Sequence, residues 1–161
     1  VVTHAPEMPW SSLAAGQQFR WPIATDKKGK EVDLSHIPGK DVRAHDQVYI
    51  MGFKEGWYGL TNTEMKLGFG LVWDRSVYPY VWFWRPLGGA WDHPFFGRAW
   101  AVALEPCTSW PNTGLSDQII RGTAAKLKGG SSIETELKAV TYTNFNRVKR
   151  ITPEGMVEGE R

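Results

Sequence analysis

The sequence predicts an all-β fold, an antiparallel β-sandwich, and three observations predict it. Short apolar or aromatic runs alternating with period two recur from residue 48 onward, and Gly, Pro, Asn and Asp clusters separate them. Glycine and proline, at 17 and 10 of 161 residues, interrupt the chain too often for long helices. Only Leu115 to Gly122 carries helical signals, for about two turns, with Ser116 as N-cap and Gly122 as stop.

Residues 1–48 read as loops with short extended pieces, including one strand over Gln18 to Ile23 and an exposed turn over Asp26 to Lys30. His36 and His45 sit among polar loop residues and read as solvated. Val48 to Phe53 and Trp57 to Thr63 read as strands joined through a Lys54-Glu55-Gly56 hairpin. In Lys66 to Asp74, Leu67, Phe69, Leu71 and Trp73 make a bulky face, while Gly68, Gly70, Val72 and Asp74 point the other way. Glycine inside a strand weakens it, so such a face marks close approach by another backbone or a ligand. Tyr78 to Pro86 is bulky on both faces, with Tyr80, Trp82 and Trp84 opposite Val81, Phe83 and Arg85, and is expected to be covered on both.

Gly97 to Pro106 organises the reading of function. Trp100, Val102 and Leu104 form a bulky, core-like face, while Ala99, Ala101 and Ala103 lead to Glu105 on the other. A strand of this kind could floor a pocket in which small residues leave room for a ligand beside one carboxylate. A solvated strand end would look the same, because Pro106 has no N–H to donate and is expected to stop the ladder. Thr123 to Leu127, a Lys128-Gly129-Gly130 turn and Ser131 to Tyr142 read as a closing hairpin. The expected organisation is one sandwich domain over residues 1–145 and a charged tail over 146–161.

Composition narrows the function classes. A net charge of +2 gives no basis for binding nucleic acid or an anionic membrane, and no apolar run reaches the roughly 20 residues of a membrane span. The single cysteine, Cys107, excludes an internal disulfide and fits a reducing compartment, so a cytoplasmic location is expected. No phosphate loop, zinc-ligand spacing or serine-nucleophile elbow occurs, and neither metal nor organic cofactor is expected. His4 and Glu7 alone do not make a metal site. Nine tryptophans offer stacking surfaces for the apolar faces of sugar rings.

Val102-Ala103-Leu104-Glu105-Pro106-Cys107-Thr108-Ser109-Trp110-Pro111 resembles the C-terminal part of the aldose 1-epimerase (galactose mutarotase-like) family. Phe69 to Asp74, Tyr78 to Trp84, the Gly88-Gly89 to Arg98 connection, Gly114 to Asp117, Arg121 to Ala124 and Leu127 to Gly130 continue the resemblance, which covers roughly residues 45–143. It implies a β-supersandwich holding a small-molecule sugar across a broad concave sheet. Glu105 matches the family's base, and His4, in Thr3 to Trp10, is the candidate acid, the alternative being a loop histidine. Asp74 would contact sugar hydroxyls and Trp82 and Trp84 would stack on the ring, with Arg85 also expected at the substrate. Family members run to nearly twice this length. The resemblance therefore implies a C-terminal portion of the family fold, with impaired activity and with exposed sheet edges open to homo-oligomer formation. A carbohydrate-binding module without turnover, or a domain of a larger carbohydrate-active enzyme, are the alternatives.

Overall fold

Every ladder between the strands is antiparallel, and strands dominate the chain. The computed structural model describes residues 1–161. In chain order the strands are β1 (Val2–His4), β2 (Gln18–Arg20), β3 (Ile23–Thr25), β4 (Glu31–Asp33), β5 (Ala44–Met51), β6 (Trp57–Asn62), β7 (Leu67–Trp73), β8 (Tyr80–Leu87) and β9 (Ala103–Cys107). A short helix, α1 (Leu115–Ile120), precedes β10 (Leu137–Thr143), β11 (Arg147–Ile151) and β12 (Val157–Glu160). The fold is thus all-β and antiparallel, and no helix is long and apolar enough to cross a membrane. The chain divides into two compact units, Val1–Gly52 with Tyr80–Ala125, and Phe53–Pro79 with Lys126–Arg161.

In the first unit a five-stranded sheet runs β2-β1-β5-β8-β9, accompanied by the β3-β4 hairpin. Alternation along β5 and β8 divides the sheet into two faces. Thr3, Val48, Ile50, Val81 and Phe83 are buried on one of them, and Trp21 packs edge-on against Phe83 at 5.6 Å. Because both sides of β5 are taken, by β1 and β8, it does not pair with β6, and Lys54-Glu55-Gly56 closes no hairpin but belongs to the second unit, which begins at Phe53. The predicted strand over 97–106 shortens to β9. Pro106 lies within it, opposite Val81, which an outermost strand tolerates because that residue's missing N–H breaks no central ladder. Before α1 there is no side-chain cap, and Ser116 lies inside the helix.

The second unit layers the β10-β7-β6 sheet against the β11-β12 hairpin. Its core is Tyr142, Phe145 and Ile151, with Trp57, Val72, Val140, Val148 and Val157 packed around them. The glycine face of β7 is the buried one. Thr61, Gly68 and Tyr142 form one cross-strand row, and the Tyr142 ring lies over Gly68 so that its hydroxyl meets Thr61 Oγ1 at 2.9 Å. A Cβ on Gly68 would collide with that ring, and one on Gly70 with Ile151 Cδ1. The bulky face leaves Leu67 at 46% and Phe69 at 42% exposed and buries Trp73 at its end.

Two other expectations change here. Residues 123–127 form no strand, and β10 pairs with β7, so the closing hairpin is absent. The expected tail is instead the β11-β12 hairpin, with Ile151 buried. A register shift between Val148 and Arg150 breaks its period-two pattern, which is why alternation does not reveal it.

Candidate functional site

The first unit's other sheet face carries the residues from which a site can be built. In antiparallel ladders, directly opposed residues point to the same side. The register pairs His4 with Tyr49, Tyr49 with Trp82, and Trp82 with Glu105. The four form one row across β1, β5, β8 and β9. Its ends are separated by three strand spacings, ~14 Å between Cα positions.

The row is held by contacts from the loop after β9. Trp82 Nε1 donates to the Ser109 carbonyl at 2.8 Å, and Trp110 packs against His4 at 4.9 Å and Tyr49 at 5.5 Å. Tyr49 Oη donates to Asn112 Oδ1 at 2.6 Å and accepts from the Asn112 N–H at 3.1 Å. Burial lowers the His4 pKa, since the charged imidazolium loses water there. Glu105 is exposed and takes part in no ion pair. The expected hollow around it is not formed, because β9 is the sheet's outermost strand and no strand walls its far side. Burial pushes the Cys107 thiol up to about 11, with Glu105 adding to the rise, so it is a packed thiol and not a nucleophile.

One step along β8, Trp84 stands on the same face, opposite Gln47 on one side and Ala103 on the other. Trp84 Nε1 donates to His45 Nε2 at 3.0 Å, and Trp10 stacks on the His45 ring at 3.9 Å and 22°. Phe95 lies 5.3 Å from Trp84. His45, expected to be solvated, is therefore half-buried in an aromatic cluster. Burial lowers its pKa, while Asp46 and Asp92 act in the opposite direction. Because Nε2 accepts the indole proton, the neutral ring carries its own proton on Nδ1, and protonating Nε2 would break the bond to Trp84.

Arg85 does not reach this face. It is 3% exposed on the opposite one, where Nη2 lies 3.5 Å from Asp46 Oδ2. Asp46 Oδ1 also accepts from Ser12 N, Ser12 Oγ and Ser11 Oγ at 2.9, 2.6 and 3.1 Å. Parity decides the matter: in β8, residues 80, 82 and 84 share a side and 85 falls on the other. Asp74 belongs to the second unit and caps a turn, accepting from Ser76 N and Ser76 Oγ at 2.8 and 2.6 Å. The Ser76 hydroxyl bond is the main reason its pKa is lowered. It also lines a cavity of about 700 Å³ in that unit, with Glu55, Trp57, Arg75, Glu134 and Lys138.

Of the expected site residues, His4, Trp82, Trp84 and Glu105 share one sheet face, whereas Arg85 and Asp74 do not. Sequence reasoning missed Gln47, Trp10, Phe95 and Trp110, and it misassigned His45. The signal for Gln47 and His45 was available: extending the Val48 strand upstream puts 45, 47 and 49 on one side. The fold and this face together define an antiparallel β protein with an aromatic, weakly charged sheet surface. Compared with known proteins, the chain matches no family model, no curated protein and no solved structure.

Proposed function

We propose that this chain is an aldose 1-epimerase-like isomerase that interconverts the anomers of a sugar held on the His4–Glu105 face. The observation that carries the reading is the cross-strand row, in which a carboxylate and an imidazole bracket two aromatic side chains on one surface. The Cα positions of the two groups are ~14 Å apart, Tyr49 is fully buried beside Trp110, and the sugar ring would therefore rest on Trp82. Glu105 takes the proton of the anomeric hydroxyl as the bond from the anomeric carbon to the ring oxygen breaks. His4 delivers a proton to that oxygen, leaving an open-chain aldehyde. Rotation and reclosure in the reverse sense return both protons and give the other anomer. Trp82 offers the stacking surface between the two groups.

The test is anomer exchange followed by NMR on free hexoses. Glu105→Gln should lower the rate by about 10²–10⁴-fold, the usual contribution of a positioned base, and His4→Asn should lower it comparably. The acid must be protonated, so the rate should decline as pH rises through a His4 pKa below its ordinary 6.5. A Glu105→Gln protein as fast as the wild type removes Glu105 from the mechanism. The exposure of Glu105 favours a second reading, a carbohydrate-binding surface without turnover, alone or within a larger carbohydrate-active enzyme. That reading gives saturable sugar binding and no exchange faster than in water.

A further inference from the structure

We infer that the ligand of this face is an uncharged oligosaccharide of at least two sugar units, whose second unit lies over Trp84 and against Trp10. The inference rests on the sugar-binding reading above and adds the substrate class. Trp82 and Trp84 are successive same-face residues of β8, so their Cα positions are ~7 Å apart along the strand. Trp82 belongs to the His4–Glu105 row, and Trp84 stands outside it. At the Trp84 end the chain brings in rings from two other segments, Trp10 from the loop after β1 and Phe95 from the loop after β8. A single sugar between His4 and Glu105 would leave those rings unused.

Two further features describe what would lie there. Gln47, directly opposite Trp84 and two residues before Tyr49 on β5, is 5% exposed, and its Nε2 has no hydrogen-bond partner. A buried amide donor without an acceptor is costly, and a hydroxyl brought to it would remove that cost. On this face the strands that flank Trp84 carry no Lys or Arg, and Lys27, beside the Trp10 segment, is bonded to the Pro9 carbonyl at 2.9 Å. Arg85 is turned to the opposite face and paired with Asp46, and His45 accepts the Trp84 proton as a neutral ring. Asp92, close to His45, and Glu105, on the neighbouring strand, are carboxylates that would repel a phosphate. Aromatic walls, one amide donor and no cation on the flanking strands suit a neutral, ring-stacking, hydroxyl-bearing unit.

Calorimetric titration of the full chain with glucose, galactose and mannose, and with cellobiose, maltose, galactobiose and mannobiose, tests this directly. At least one disaccharide should bind roughly tenfold tighter than its component monosaccharide, the scale of an added aromatic contact. Trp10→Ala, at a position already 40% exposed, should reduce that ratio toward one. Gln47→Leu, which keeps the side chain's size, should do the same in part, with circular dichroism confirming that both variants fold. Equal affinity for monosaccharide and disaccharide, or a ratio unmoved by Trp10→Ala, overturns the second subsite and leaves the proposed reaction standing. No saturable binding by any of these sugars overturns both.

Discussion

Strands β7 and β9 carry the same pattern, small residues on one side followed by a carboxylate, and the structure uses them in opposite ways. On β7 the space above Gly68 and Gly70 is filled from within the chain, by the Tyr142 ring and by Ile151. Asp74, beyond them, is spent on a turn. On β9, Ala103 stands beside Trp84 and Glu105 beside Trp82, and Glu105 remains exposed. Small side chains therefore report only that something comes close. Whether that is a core side chain or an outside molecule is decided by what the rest of the chain lays over the strand.

The largest test of this contrast is Tyr142→Ala. Emptying the glycine face should cost ~3–5 kcal/mol, as for other large buried aromatics, seen as a drop in the urea midpoint. A loss below about 1 kcal/mol would show that the ring does not fill that face. Next is Gly68→Ala, which forces the ring aside and should cost ~1–3 kcal/mol in the wild type but close to nothing in the Tyr142→Ala background. Additive costs in the double variant would disconnect the two residues. Ala103→Val on the outermost strand should change stability by no more than ~0.5 kcal/mol while weakening sugar binding, and the reverse outcome would make β9 another packed face.

Acidification sharpens the contrast between the two units, because His4, His36, His45 and His93 all lie in the first one. Burial lowers the His4 and His45 pKa values, so the unfolded chain binds protons more readily than the folded one. Their contribution to stability is complete above the unfolded value near 6.5. It is lost as pH falls below 6.5 and on through the lowered folded values. Hydrogen exchange of the five-stranded sheet should therefore accelerate between neutral pH and about pH 5 beyond the intrinsic pH trend, and His45→Gln should reduce the excess. An equal acceleration in β6, β7 and β10 would mean that these histidines are not its source. The smallest effect is expected for Asp74→Ala, which should speed exchange of the Ser76 amide and leave the urea midpoint unmoved.

Much of the fold was legible because alternation is a local property of a strand. The separation of Tyr80, Trp82 and Trp84 from Val81, Phe83 and Arg85 follows from parity and stands in the structure. The same parity should have kept Arg85 away from the two tryptophans it was expected to join at the substrate. The hairpin of β11 and β12 was hidden by its bulge and by the charges around Val148 and Ile151. His45 was hidden because its aromatic neighbours, Trp10 and Trp84, lie 35 or more residues away in the chain.

By itself the amino-acid sequence determined the all-β class and, strand by strand, which side chains stand together, since a pleated backbone turns alternate residues to opposite sides whatever surrounds it. Only the tertiary structure decided which side became interior. On β7 the glycines were buried and Leu67 and Phe69 left in solvent, because a ring anchored on β10 could lie flat only where the middle strand has no side chain. It also decided that His4 and Glu105, 101 positions apart, fall in one row, because that alignment depends on the joint register of three ladders.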